Sequence, residues 1–371
     1  MNNRIFQQIL IFTITILLFS PYLGITYAEV DENSWLDITS MQEERYGLGV
    51  VAENGKIYAI GGYSGSKPYL DVNEEYDPIT EAWTYKTPIP EPMFDFGITV
   101  HNGKIYCFNG ETGSTYVYTP LYDVWEKKAS LPNHRKSITA STLEGKIYVI
   151  GGSSKILNVY DPTTDSWNTK APLLYAFNEG YTRGCISVVF KNKIHVFGAT
   201  PIEYSHQIYD PTSDSWSLGE PLIDGYSFAL AGITTGSNAP ERIYLFGMDG
   251  NLWTIEPPNL TSQSYDPVIN NWTNIEPIPA GHLIGGIATI NDKLYVIGGA
   301  GAGYSNAIYA NSLSRVYTPI GYGSPDPSYT PPPQTPSPMI SPEPFPATII
   351  IVVIVVILLI GIGIFLFLKF K

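Results

Sequence analysis

Polar and apolar positions alternate along most of the chain in one repeating rhythm. In its third cycle "ITASTL" (138–143) alternates, "EGK" turns, and "IYVIGG" follows as a short apolar run. Alternation predicts a strand covered on one face, and an unbroken apolar run predicts one covered on both. "ILNVYD" reads as a third strand, "DPTTDS" as a turn, and "WNTKA" as a fourth strand starting at Trp167. Asp161 can bond the backbone of that turn, and Pro162 presets its φ. The hairpins "ENGK" and "HNGK" carry the Asn-Gly pair that supplies positive φ to tight turns.

The apolar strand recurs six times: "GKIYAIGG" at 55, "GKIYCFNG" at 103, "GKIYVIGG" at 145, "NKIHVFGA" at 192, "ERIYLFGM" at 241 and "DKLYVIGG" at 292, spaced 42 to 51 residues apart. A second motif tracks it. Tyr76 leads Trp83 by seven positions, as Tyr118 leads Trp125, Tyr160 leads Trp167, Tyr209 leads Trp216 and Tyr265 leads Trp272. Tyr317 opens a sixth copy with no tryptophan after it, and Trp35 stands about one period before Trp83. A period of this length predicts a propeller or solenoid. The chain is therefore expected to begin with the outer strand of the last blade, whose other strands run from about His282 to Thr318. That arrangement closes the ring and removes the open edge that a string of sheets would leave. The repeated tyrosines and tryptophans read as structural, each able to bury about 150 Å² or more between blades.

A glycine pair after an apolar strand, then a tyrosine, then a tryptophan at fixed spacing resembles the Kelch repeat. The resemblance covers residues 29–320. It implies an all-β, six-bladed propeller. Gly198-Ala199 and Gly247-Met248 replace the glycine pair in blades four and five.

The two ends suggest export and anchoring. Residues 1–28, an apolar run closed by "TYA", read as a secretory signal too short to span a bilayer. Residues 321–346 are dense in proline, which favours an extended stalk of about 3.1 Å per residue whose Ser and Thr could carry O-glycans. Residues 347–368 hold no charge and are long enough, at about 1.5 Å per residue, to cross a membrane. Residues 369–371 would then be a cytoplasmic tail, leaving the propeller outside. The "PEPFP" before the apolar run resembles the PEF-CTERM sorting tails of archaeal surface proteins, in which the tail can be exchanged for a lipid.

A net charge of −13 argues against nucleic acid as a partner, since phosphates repel it. Cys107 and Cys185 fall in strands of different repeats and read as buried free thiols.

Strand direction alternates within a blade, so loops between strands two and three share a face with those leading to the next blade. On that face the connections are long and irregular; on the other they are tight. Binding resides on loops held by a rigid scaffold, which makes the irregular face the candidate. Counting back from each "GK" places Arg45, Arg135, Arg183 and His282, with Met93 and Asp95, at the start of the inner strands. Tyr46, Phe94, Phe96, Tyr181, Tyr226 and Phe228 lie beside them. Arginine forks amid aromatics suit a carboxylate, a sugar acid or an acidic peptide; the same arginines could equally satisfy carbonyls and nearby acids. Asn259 and Asn271 open glycosylation sequons. The histidines show no metal-ligand spacing, and no phosphate loop or nucleophile elbow is present, so no cofactor is expected.

Three readings of function stand. The first is a cell-surface recognition module for an extracellular protein or glycan, with membrane attachment through the C-terminal helix. The resemblance also admits an enzyme, similar to the sialic acid epimerases or the copper-containing galactose oxidases. The third is a structural surface-layer or adhesion protein. The sequence does not set the oligomeric state.

Overall fold

The computed structural model describes residues 31–65, 68–152, 154–177, 185–199, 204–224, 228–249, 259–302 and 308–327. All lie in the first of two units, Met1–Tyr329. The expected signal (1–28), the membrane span (347–368), the tail (369–371) and all of the stalk beyond 327 lie outside the described residues, as do Tyr181, Arg183 and Tyr226. Among the described residues no helix is long and apolar enough to cross a membrane.

Among the described residues, twenty-four strands make six four-stranded antiparallel sheets. β1 (Ser34–Ile38) comes first, and its sheet is completed only at the end of the domain. Blade one is β2 (Gly49–Glu53), β3 (Lys56–Ile60), β4 (Asn73–Asp77) and β5 (Ala82–Tyr85). Blade two is β6 (Gly97–His101), β7 (Lys104–Phe108), β8 (Thr115–Thr119) and β9 (Val124–Lys128). Blade three is β10 (Ile138–Leu143), β11 (Lys146–Gly151), β12 (Leu157–Asp161) and β13 (Ser166–Lys170). Blade four is β14 (Ile186–Phe190), β15 (Lys193–Ala199), β16 (Tyr204–Asp210) and β17 (Ser215–Leu218). Blade five is β18 (Phe228–Ile233), β19 (Ile243–Asp249), β20 (Asn259–Asp266) and β21 (Asn271–Asn274). Blade six is β22 (Gly286–Ile290), β23 (Lys293–Ala302) and β24 (Ile308–Thr318), with β1 on its outer edge. Trp35 stands opposite Tyr317 in the β1–β24 register.

The inner strands β2, β6, β10, β14, β18 and β22 touch in turn round a closed ring. The core is divided into slabs between neighbouring blades rather than gathered in one centre. Tyr58, Ile60, Phe96 and Cys107 fill the slab between blades one and two; Tyr244, Phe246, Leu294 and Tyr317 fill that between five and six.

The tyrosine and tryptophan of each motif face each other across strands three and four. Their ring centroids stand 5.1 Å apart for Tyr76–Trp83, 4.8 Å for Tyr118–Trp125 and 5.0 Å for Tyr160–Trp167. The spacing is 5.1 Å for both Tyr209–Trp216 and Trp35–Tyr317, and 5.2 Å for Tyr265–Trp272. The edge of each indole then reaches the preceding blade. Trp125 Nε1 donates to Thr87 O at 2.9 Å, Trp167 Nε1 to Ala129 O at 3.0 Å and Trp216 Nε1 to Ala171 O at 2.8 Å.

A residue five positions after the tyrosine completes this latch. Asp123, Asp165 and Asp214 sit at φ 53°, 49° and 47°, a left-handed conformation that short polar side chains tolerate. Asp165 Oδ1 accepts Tyr160 Oη at 2.6 Å and Ala129 N at 2.8 Å. Asp214 Oδ1 accepts Tyr209 Oη at 2.7 Å and Ala171 N at 3.0 Å. The acid and the indole thus hold both the N–H and the C=O of one residue on the neighbouring blade. The Tyr160 phenol and the Ala129 N–H together hold the Asp165 carboxyl below its ordinary value. Asp165→Ala is expected to cost about 1–2 kcal/mol, seen as a lower urea midpoint at unchanged slope. An unchanged midpoint would show that the latch contributes nothing.

Candidate functional site: the loop face

The irregular loops rest on polar side chains buried in the third strands. Glu74, two residues before Tyr76, accepts Gln42 N at 2.8 Å and bonds the Arg45 guanidinium. Asn158, two before Tyr160, accepts Arg135 NH1 at 2.7 Å. Gln207 takes Tyr175 N at 3.1 Å and returns a bond to Tyr175 O at 3.1 Å; Gln263 takes Ile223 N at 3.0 Å. Each holds the loop that arrives from its own blade or a neighbouring one.

The cations expected at the channel mouth are buried where they are described. Arg45 is wholly buried and also donates to Ala59 O at 2.9 Å. Arg135 is buried and donates to Gly151 O at 2.8 Å and Val149 O at 2.9 Å. His282 is buried, with Nδ1 bonded to Gly298 O at 2.8 Å. Burial pushes the Arg135 guanidinium down to about 10 and the His282 imidazole down to about 4. Backbone carbonyls, with Glu74 for Arg45 and Asn158 for Arg135, take the hydrogen bonds these side chains make, which braces the loops beside them. The register count located their backbones; it carried no information about the carbonyls converging on the same points. Arg183 and Tyr226 lie outside the described residues.

Asp95 and Phe96 do line the central channel. It encloses about 430 Å³ between the six inner strands. Its wall is uneven. Hydroxyls from blades two to four bond one another: Thr99 to Thr142 at 3.1 Å, Thr139 to Ser187 at 2.9 Å and Ser141 to Ser187 at 2.8 Å. Val50, Ala231, Ile287 and Ala288 present an apolar arc on blades five, six and one.

Above the channel, left-handed residues lead into successive inner strands: Ile284 (φ 58°), Gly47 (63°), Asp95 (51°) and Ser137 (55°). They bond from blade to blade. Gly47 N donates to Ile284 O at 2.7 Å, Asp95 N to Gly47 O at 2.9 Å and Ser137 Oγ to Asp95 Oδ2 at 2.8 Å. A left-handed β-branched residue such as Ile284 is a strained exception.

Tyr46 belongs to an aromatic group on this face that the sequence reading covered only in part. Its backbone pairs with that of Tyr63 in the β3–β4 loop, N to O at 3.1 and 2.8 Å. Phe94, from the β5–β6 loop, lies against Tyr46, Tyr63 and Tyr69. Tyr63 and Tyr69 went unnoticed because they belong to no repeated motif; their only signal was two tyrosines in one irregular loop.

Among the described residues no group of three or more His, Cys, Asp or Glu could hold a metal ion. Cys107 and Cys185 are free and buried, and burial pushes the Cys185 thiol up to about 12. Asn259 and Asn271 are both exposed.

The Kelch motif matches residues 44–90 and again residues 135–174. Kelch-like protein 23 of Homo sapiens is 46% identical over 54 residues, 14% of this chain and 10% of that protein. Kelch-like protein 21 of Bos taurus is 40% identical over 62 residues, 15% and 10% of the respective lengths. Kelch-like protein 8 of Mus musculus is 34% identical over 59 residues, 16% and 9%. The chain thus matches about a tenth of the length of these curated relatives.

Proposed function

We propose that this Kelch-repeat propeller is a binding module that presents its irregular loop face to an extracellular protein or glycan, and that its C-terminal segment attaches it to the cell surface. The supporting observation is where the chain leaves the fold. β24 ends at Thr318, at the same end of the sheets as the tight hairpins and the Tyr-to-Trp turns. The following residues lie against a hairpin of blade five: Gly323 N donates to Asn238 O at 2.7 Å and Asp326 N to Gly236 O at 2.9 Å. The last described residues, up to 327, thus lie on the tight face, opposite the irregular loops. Loops carried on a rigid scaffold and braced by buried polar residues suit recognition.

The reading is tested with the full-length chain displayed on cells. A photo-crosslinking side chain is placed at Tyr69 or Thr112 on the loop face, or at Thr163 or Thr212 on the tight face. Defined crosslinked species are expected from the loop face alone. Equal crosslinking from both faces, or from the tight face alone, would contradict the assignment.

A further inference from the structure

Four rings gather on the loop face at blade one. Phe94 is their centre: its centroid lies 5.7 Å from Tyr46, 6.1 Å from Tyr63 and 5.2 Å from Tyr69, on which it stacks at 18°. The backbone is shaped around it. Gly47 has φ +63°, and a Cβ there would stand 2.2 Å from Phe94 Cε2. These rings differ from those of the inter-blade slabs, which are closed over. Tyr69 is 41% exposed, and Tyr46, Tyr63 and Phe94 are half-buried. Each of the three contributing loops also carries carboxylates beside its ring. Glu44 lies two residues before Tyr46 and Asp71 two after Tyr69, both exposed; half-buried Asp95 follows Phe94 directly. Among the described residues of 42–48, 61–72 and 91–96 the one basic side chain is Arg45, which is buried against Glu74; Lys67, two residues before Tyr69 in the sequence, lies outside the described residues.

We propose that this aromatic group with its rim of carboxylates docks a basic segment of a protein partner, an arginine or lysine lying over Tyr69 and Phe94 with its charge turned to Glu44 and Asp71. The proposal rests on the loop face being the binding face and names the class of partner it takes. Ring faces attract cations, and arginine stacks on them while its fork reaches carboxylates. The same acids repel phosphate and acidic sugars, which excludes the acidic ligand suggested by an arginine-lined mouth. A neutral glycan would stack on the rings and leave the carboxylates without a purpose.

The test uses the purified full-length chain and a fluorescein-labelled heptapeptide bearing two arginines, read by fluorescence anisotropy. A glutamate counterpart and a neutral trisaccharide serve as comparison probes. The arginine peptide is expected to bind, more weakly as salt rises, and the glutamate peptide not to bind. Tyr69→Ala is expected to weaken it about three- to tenfold, and Asp71→Asn to flatten its salt dependence. Tyr69 is exposed at a loop, so a purely bracing role would move the melting temperature and leave affinity alone. Unchanged affinity in both variants, or no binding of the arginine peptide, overturns the proposal. Binding of the trisaccharide alone also overturns it, while leaving the loop-face reading intact. Loop-face crosslinking can likewise succeed where the peptide fails, so the two claims fail separately.

Discussion

Removing residues 31–38 is expected to abolish cooperative unfolding, although it deletes one short edge strand. β1 and Asn33 just before it supply, with Tyr317, the latch between blades five and six. Asn33 Oδ1 accepts Glu276 N at 2.9 Å and Tyr317 Oη at 2.7 Å, and Trp35 Nε1 approaches Glu276 O at 3.5 Å. The Trp35 ring meets Phe246 at 5.1 Å and Tyr317 at 5.1 Å. Asp37 pairs with Arg315 at 2.6 Å. Without β1, β24 becomes an open edge that pairs with other chains, and Tyr317 loses its acceptor. Because the inner strands form a closed ring, a gap at one slab loosens its neighbours. Trp35→Ala, which removes the half-buried ring alone, is expected to cost about 2–3 kcal/mol. In urea, followed by tryptophan fluorescence, the deletion should broaden the transition and lower its slope, whereas the point variant shifts only the midpoint. A deleted chain that melts like the intact one would refute the role given to β1.

Acid is the second large lever, acting through three buried imidazoles. His195 Nδ1 lies 2.9 Å from His206 Nε2, and His206 Nδ1 lies 3.1 Å from Glu220 O. Gly219 makes the room, since a Cβ there would stand 2.2 Å from His206 Nδ1. Glu220 O also takes Trp272 Nε1 at 3.2 Å, so the pair is tied to the latch between blades four and five. Burial, with the neighbouring ring of His206, pushes His195 down to about 3; burial pushes His206 down to about 4 and His282 to about 4. All three folded values lie below the ordinary 6.5. The unfolded chain therefore binds protons that the folded chain refuses. Stability is full above pH 6.5 and falls as pH drops from there toward 4 and 3. Each histidine costs about 1.4 kcal/mol per pH unit in that window, against a total stability of about 5–15 kcal/mol. Asp165 and Asp214, whose folded values are depressed, add to the loss at still lower pH. The urea midpoint should fall steeply between pH 7 and pH 5, and His206→Gln should make that fall shallower. A midpoint independent of pH over this range would rule the mechanism out.

The six-blade layout was legible because its signals are local and repeated. A glycine pair closes the apolar strand of blades one, three and six, and the tyrosine leads the tryptophan by the same seven positions in five motifs. The aspartate five residues after the tyrosine was just as visible in "YDPTTDSW", yet it reads as turn chemistry until Ala129 appears beside it. The loop face was legible as a face, from loop length. Its side chains were not. Arg45, Arg135 and His282 fall at the expected register but turn inward, because Glu74, Asn158 and several strand carbonyls converge there. Tyr63 and Tyr69 meet Phe94 across two separate loops, an arrangement no periodicity encodes.

Ring closure by the first strand is tested most directly by a disulfide across β1 and β24. Leu36 and Val316 are register partners. Such partners stand about 4.5–5.5 Å apart between Cα atoms, within the span a disulfide bridges. Leu36→Cys combined with Val316→Cys should oxidise within one chain, giving a monomer of faster mobility on a non-reducing gel and a higher melting temperature. Free thiols after oxidation, or crosslinks only between chains, would contradict the closed ring.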